Sequence, residues 1–120
     1  MATHNDLGEK GETLALNFLR KKGYQILQTN WRYGRNEVDI IAKFQGLLVI
    51  VEVKTRSSMK YGEPYISVTM QKQRALVRAA EAYIIMKNLD IETQFDIISI
   101  VSTPEKDYIE HIEDAFYPVL

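Results

Sequence analysis

Asp39, Glu52 and Lys54 are the residues of this chain whose types and spacing suit chemistry on a phosphate. Two apolar runs, 37–43 and 47–55, flank Gln45-Gly46 and read as the strands of a hairpin with a two-residue turn. Counting outward from that turn pairs Phe44 with Leu47, Ile41 with Ile50, Asp39 with Glu52 and Glu37 with Lys54. Facing side chains share a sheet face, with Cβ atoms ~4.5–5.5 Å apart. One face then carries Glu37, Asp39 and Ile41 beside Ile50, Glu52 and Lys54, and the other carries Val38, Ile40 and Ala42 beside Val49, Val51 and Val53. The second set is pure core. A slip of one residue would bury carboxylates, so the apolar pattern favours this register.

Two carboxylates held face to face repel unless a cation lies between them. Oxygen ligands of this kind suit Mg²⁺ or Mn²⁺ rather than zinc. Such an ion activates water, and an ammonium two residues beyond Glu52, ~6.6–7 Å along the strand, offsets charge that builds on a phosphate. A Glu-Val-Lys triplet alone is commonplace on solvated strands. What lifts this one is Asp39 opposite, with unbroken apolar residues behind.

Asp39, followed by Glu52-Val53-Lys54 after an apolar strand, resembles the core of the PD-(D/E)XK nuclease superfamily, the restriction-endonuclease-like fold. The wider set Gly8, Gly11-Glu12, Ala15, Asn30, 37–42, 51–56, Gly62, Lys72, Ala79 and Phe95-Asp96 resembles the YraN-like bacterial family, which is similar to archaeal Holliday-junction resolvases. The resemblance runs from about Gly8 to Phe116. It implies an α/β fold with an αβββαβ core, its mixed sheet flanked by helices, acting on nucleic acid and above all on DNA. Asp39 and Glu52 match the metal-ligand positions, with the Val53 carbonyl as a further ligand. Lys54 matches the catalytic lysine and Glu12 the acidic residue of the first helix. Glu37 and Gln71 take supporting places, since many such nucleases set a polar residue near the metal at the start of the second helix. The sequence departs from the pattern at Asn36, usually glycine, at Val38, where the superfamily name has proline, and at Gln94, where arginine is frequent.

The elements that must position these residues are legible in outline. Asp6 and Glu9 fit a capping box, and Leu7, Leu14, Ala15, Phe18 and Leu19 recur at helical spacing. Gly8 and Gly11 weaken the first turns and predict a later start, while Gly23 supplies a stop. Tyr24 to Trp31 reads as a strand, 32–36 as a turn, and 57–64 as a polar loop. Thr69 caps a second helix running to about Lys87. Phe95 to Val101, apolar almost throughout, predicts a strand buried on both faces. Tyr108 to Ile112 predicts a short last strand. The order is α-β-β-β-α-β-β in one domain spanning 1–120.

Composition sets the outer limits. A chain of 120 residues with 46% hydrophobic and 26% charged residues suits one globular domain. No run reaches the ~18–20 apolar residues of a membrane span and no signal-peptide layout opens the chain, which points to the cytoplasm and to no membrane partner. The absence of cysteine excludes disulfide scaffolds and thiolate zinc sites. No glycine-rich run ends in Gly-Lys-Ser/Thr, so nucleotide hydrolysis by a phosphate-binding loop is out. Of the two histidines, His4 reads as part of a frayed end and His111 as a surface strand residue.

The net charge of −1 conceals an asymmetry: residues 1–88 carry +6 and residues 89–120 carry −7. Arg32, Arg35, Arg56, Lys60, Lys72, Arg74 and Arg78, interleaved with Trp31, Tyr33, Tyr61 and Tyr65, suit backbone contact and base stacking. Three functions follow from the residues. The first is a metal-dependent nuclease acting on DNA, including branched or single-stranded forms. The second is a nucleic-acid-binding module of the same fold with little or no turnover. A glycosidase using the carboxylate pair is the weakest, because the adjacent lysine and the lack of a sugar platform count against it. The apolar end, 115–120, packs either on its own core or on a second subunit of a homodimer.

Overall fold

The computed structural model of the chain describes residues 4–58 and 68–118. The elements follow the order α1 (His4–Lys21), β1 (Gln25–Tyr33), β2 (Asn36–Phe44), β3 (Leu47–Arg56), α2 (Met70–Lys87), β4 (Glu92–Ser102) and β5 (Asp107–Phe116). The strands form one mixed sheet in the order β1-β2-β3-β4-β5, antiparallel except between β3 and β4. That parallel pair needs a long connection, and α2 lies within it. Among the described residues no helix is long and apolar enough to cross a membrane.

One helix covers each face. Ala15 and Leu19 of α1 pack with Ile40, Ala42, Val49, Val51, Ile98 and Ile100. Leu76, Ala79, Ala80 and Tyr83 of α2 pack with Ile41, Leu48, Ile50, Phe95 and Ile97 on the other side. Burial on both faces is why β3 and β4 read as nearly continuous apolar runs.

Both helices end as their sequences dictate. Gly23, at φ 94°, closes α1 with Gly23 N–H donating to Arg20 O and Tyr24 N–H to Leu19 O, each at 3.0 Å. The Thr69 hydroxyl accepts from Lys72 N–H at 3.2 Å to start α2, and Asn88 in the left-handed region ends it. The start of α1 differs from expectation: the helix begins at His4, and Asp6 sits in its first turn rather than at its cap. Gly11 explains why glycine is tolerated there. A Cβ on it would collide with the Thr55 side chain, coming within 2.8 Å of Cγ2, so the glycine lets α1 close on β3.

Packing outweighs the poor helix propensity of glycine at that position, and this can be measured. Helix propensity alone makes Gly11→Ala stabilising by ~1 kcal/mol. The collision instead makes it destabilising by roughly 1–3 kcal/mol. Urea unfolding should show the loss, and Thr55→Ala in the same chain should recover part of it. A more stable Gly11→Ala protein would overturn the contact.

The hairpin turn has Gln45 at φ 50° and Gly46 at φ 79°, and pairing runs as expected from Phe44 with Leu47 to Ile40 with Val51. Two expectations fail beyond it. Asp39 with Glu52 and Glu37 with Lys54 are not regular ladder pairs, because the β2–β3 pairing stops at Ile40 and Val51. Val38 does not join Ile40 and Ala42; it packs with Ile41 on the α2 side. Asn30 stands beside this break, left-handed at φ 50°, between the pairs Thr29–Ile40 and Trp31–Val38. No residue is added to either strand here, since both pairs keep one register; the backbone kinks at this point and re-aims the Asp39 side chain. The Asp39 carboxylate uses it to accept from Val53 N–H at 2.8 Å, in place of a main-chain carbonyl.

Other boundaries shift. Arg32 and Tyr33 belong to β1, leaving Gly34-Arg35 as the turn; positive φ falls on Gly34, at 60°, and not on Asn36. The last strand reaches Phe116 rather than Ile112, across an irregularity between Phe95 and Ile97 and a left-handed Asp114. Phe116 returns to the core and stacks on Phe95, 5.1 Å between ring centres. Most of the loop expected over 57–64 lies outside the described residues, as do Lys60, Tyr61, Tyr65 and the final two residues.

Candidate active site

Five elements converge on the end of the β2–β3 hairpin. β3 brings Glu52, only 4% exposed among residues that are otherwise apolar. β2 brings Asp39, whose carboxylate lies close enough to Glu52 to raise its carboxyl. From α2, the Lys72 ammonium stands 3.4 Å from Glu52 Oε2 and donates to the Glu37 carbonyl at 3.3 Å. At 3.4 Å this is a long ion pair without hydrogen-bond geometry, and Glu52 Oε2 is buried with no hydrogen-bond partner. On the α1 side, the close approach at Gly11 places Glu12 beside Asn30. With its amide oriented to satisfy its neighbours, Asn30 donates to Glu12 Oε1 at 2.7 Å and Glu37 Oε1 at 3.1 Å. Arg32 pairs with Glu37 at 3.4 Å. A cleft of about 340 Å³, lined by Leu7, Gly8, Glu12, Asp39, Val53, Lys54 and Thr55, opens beside the pair.

The electrostatics follow from burial. Loss of water pushes the Glu52 carboxyl up to about 8; the adjacent Asp39 adds to the shift, and Lys72 and Lys54 oppose it. Glu12 is raised as well, first by burial and then by the charges of Asp39 and Glu37. Such an arrangement favours either a shared proton or a positive charge.

A hard divalent cation fits this donor set on three counts. The donors are oxygens, one of them is buried without a hydrogen bond, and the Asp39 charge disfavours a second negative charge on Glu52. Among the described residues no three His, Asp or Glu side chains come together as a ligand group. The side chains that could hold such an ion are the pair Asp39 and Glu52, and the Val53 carbonyl and water would have to complete its shell. Mg²⁺ commonly keeps several waters in this way. Glu12 stands outside the pair and is tied through Asn30 to Glu37.

The expected nucleic-acid residues separate. Arg32, paired with Glu37, and Arg35 are exposed at the β1–β2 turn, while Arg56 is half-buried at the end of β3. Lys72 is an internal partner of Glu52, not an open surface cation. Gln71 is exposed in the first turn of α2. Arg74 and Arg78 line a different groove, with Met70, Val77, Tyr117 and Pro118. Lys60 lies outside the described residues.

His111 is a correction. Its side chain is 3% exposed, with Nε2 2.7 Å from Asp96 Oδ2 and Nδ1 2.8 Å from Lys22 Nζ. Asp96, wholly buried, also accepts from Gln94 Nε2 and from Asp114 N–H, each at 3.0 Å. The polar letters around His111 suggest a surface, but it shares the α1 face of β5 with Ile109, and the fold covers that face. Asn30, counted only as part of the family resemblance, joins the site by bridging Glu12 and Glu37.

Comparison with known proteins adds a family. A profile described as "Uncharacterised protein family UPF0102" matches residues 11–100, a span that holds Glu12, Asp39, Glu52, Lys54 and Lys72. The chain is 52% identical over 117 residues to a UPF0102 protein of Flavobacterium psychrophilum, covering 98% of both. It is 48% identical over 117 residues to one of Christiangramia forsetii, again covering 98% of both. With a UPF0102 protein of Bacteroides thetaiotaomicron it shares 44% over 120 residues, all of this chain and 99% of the other.

Proposed function

The chain belongs to the uncharacterised protein family UPF0102, and from its site we propose that it is a divalent-cation-dependent nuclease of the PD-(D/E)XK, restriction-endonuclease-like type, hydrolysing phosphodiesters of DNA. One observation carries this: a buried Glu52 carboxylate, beside Asp39, holds an oxygen with no hydrogen-bond partner and two lysines nearby. Asp39, Glu52 and the Val53 carbonyl hold Mg²⁺ or Mn²⁺. When bound, the cation offsets negative charge and activates water for attack on phosphorus.

The remaining steps belong to the chain. Lys54 stabilises the charge that gathers on the phosphoryl oxygens. Lys72 restrains Glu52 and, through the Glu37 carbonyl, the backbone before Asp39. Asn30 fixes Glu12 and Glu37 on the flank of the cleft. Arg32 and Arg35 meet the phosphate backbone, so affinity should fall as salt rises. A second reading has one observation behind it. The Lys72 ammonium stands where a cation would be attracted, which suits a nucleic-acid-binding module without turnover.

The deciding experiment is cleavage of duplex, single-stranded and junction substrates with Mg²⁺ or Mn²⁺. Wild type is compared with Glu52→Ala and Lys54→Ala, each shown to be folded. Cation-dependent cutting, stopped by a chelator and reduced at least ~10²-fold in both variants, is the expected result. Binding by all three proteins with cutting by none replaces the nuclease with the module.

A further inference from the structure

We propose that Tyr33 is a stacking platform for an unpaired nucleobase, so that the site takes a single-stranded or frayed strand in preference to closed duplex. This rests on the nuclease reading for its place but not for its test. Trp31 and Tyr33 lie two residues apart on β1 and their rings are parallel, 6° between planes and 6.2 Å between centres. Trp31 is braced from behind by Tyr83 of α2, edge-on at 5.3 Å and 86°. Tyr33 is thus seated on a fixed ring while remaining 46% exposed.

Position gives the exposed ring its meaning. Tyr33 pairs with Asn36, the residue before Glu37, whose carbonyl holds Lys72 against the carboxylate site. Arg32 and Arg35 stand on either side of the Tyr33-Gly34 step and are exposed. An exposed aromatic ring at a strand end that also carries two exposed arginines matches an unpaired base and its backbone: the ring takes the base and the arginines take phosphate charge. Bases within a duplex already stack on one another and offer no free face. An unpaired base does, which makes the platform selective for strand state rather than sequence. Simple shielding of Trp31 is the competing account, and it requires neither the arginines nor selectivity.

The test is binding of a labelled 12-nucleotide single strand and a 12-base-pair duplex, in Ca²⁺ or chelator so that turnover plays no part. Wild type, Tyr33→Ala and Tyr33→Phe are compared after urea unfolding shows each to be folded. Trp31 is the only tryptophan, so its fluorescence reports on the platform directly. Single-strand affinity should fall between about fivefold and a hundredfold in Tyr33→Ala, with duplex affinity unchanged and Tyr33→Phe close to wild type. The single strand should perturb Trp31 emission, and an abasic strand should perturb it less. Equal losses on both substrates, or no loss on either, overturn the platform, as does Tyr33→Phe behaving like Tyr33→Ala. If single-strand preference vanishes while Glu52-dependent cutting persists, this inference alone fails. If the preference holds and nothing is cut, the platform stands and the nuclease reading fails.

Discussion

Glu52→Gln should abolish cleavage and at the same time make the cation-free protein more stable at pH 8. Burial and the Asp39 charge raise the Glu52 carboxyl from an ordinary 4.5 to about 8, against the pull of Lys72 and Lys54. Between those values the folded protein keeps a proton that the unfolded chain has released. Stability from this group is therefore complete below about pH 4.5 and is lost as pH rises towards 8, at up to ~1.4 kcal/mol per unit. A glutamine has no proton to lose. The melting-temperature difference between variant and wild type should widen from pH 5 to pH 8 and then level off. Mg²⁺ or Mn²⁺ should close the gap by stabilising the wild type alone, and more at pH 8 than at pH 6, because the ion competes with the proton. Calorimetric scans of both proteins over pH 5–9, with and without the ion, read all of this. A gap that stays constant with pH would show that Glu52 is ionised throughout. The cleavage loss, on the order of 10³-fold, follows because a neutral amide cannot hold the cation as a carboxylate does.

His111→Ala should be among the most damaging substitutions in the chain, although it lies outside the site. Lys22 donates to Nδ1 of the ring, so Nε2 carries the proton and donates to Asp96. Asp96 is fully buried, and removing the imidazole takes the donor from its Oδ2 while Gln94 and Asp114 N–H still bond to Oδ1. Breaking such a pair from one side costs ~3–5 kcal/mol, on the order of a 10 °C fall in melting temperature for a domain of this size. Asp96→Asn keeps the size and an acceptor oxygen and should cost less than Asp96→Ala. Since Asp96 also accepts from Asp114 N–H, amide exchange in the last turn of β5 should speed up in His111→Ala. Urea unfolding of the two alanine variants and their double mutant gives the coupling, and the double should cost clearly less than the sum. Strict additivity would mean that the pair does not act as a unit.

The fold was legible where pattern and burial agree. Alternating apolar residues around Gln45-Gly46 fixed the register correctly from Phe44 to Ile40, and Thr69 capped α2 as its position suggests. Legibility ended one residue short of the chemistry. Val38 is apolar and suits either sheet face, so nothing in the pattern distinguishes a continuous strand from one that breaks at Asp39. The break depends on a left-handed Asn30 in another strand and on a side chain bonding to a backbone N–H, and neither leaves a periodic trace. Lys72 reaches Glu52 only because the connection through α2 returns the chain to that place, and a first helical turn reads as exposed. His111 was misplaced for a similar reason: helix α1, almost ninety positions earlier, covers the face on which it lies.

The order of the sheet also gives the acidic quarter of the chain a task of its own. β5 is an outermost strand ten residues long, and along its free side runs main-chain N–H and C=O that a second copy of the same strand could pair with. Asp107, Glu110, Glu113 and Asp114 lie on it, so two such edges meeting would bring like charges together. The opposite edge, β1, ends in Arg32-Tyr33 beside the carboxylate site. Like charges along the β5 border thus disfavour edge-to-edge pairing of two copies.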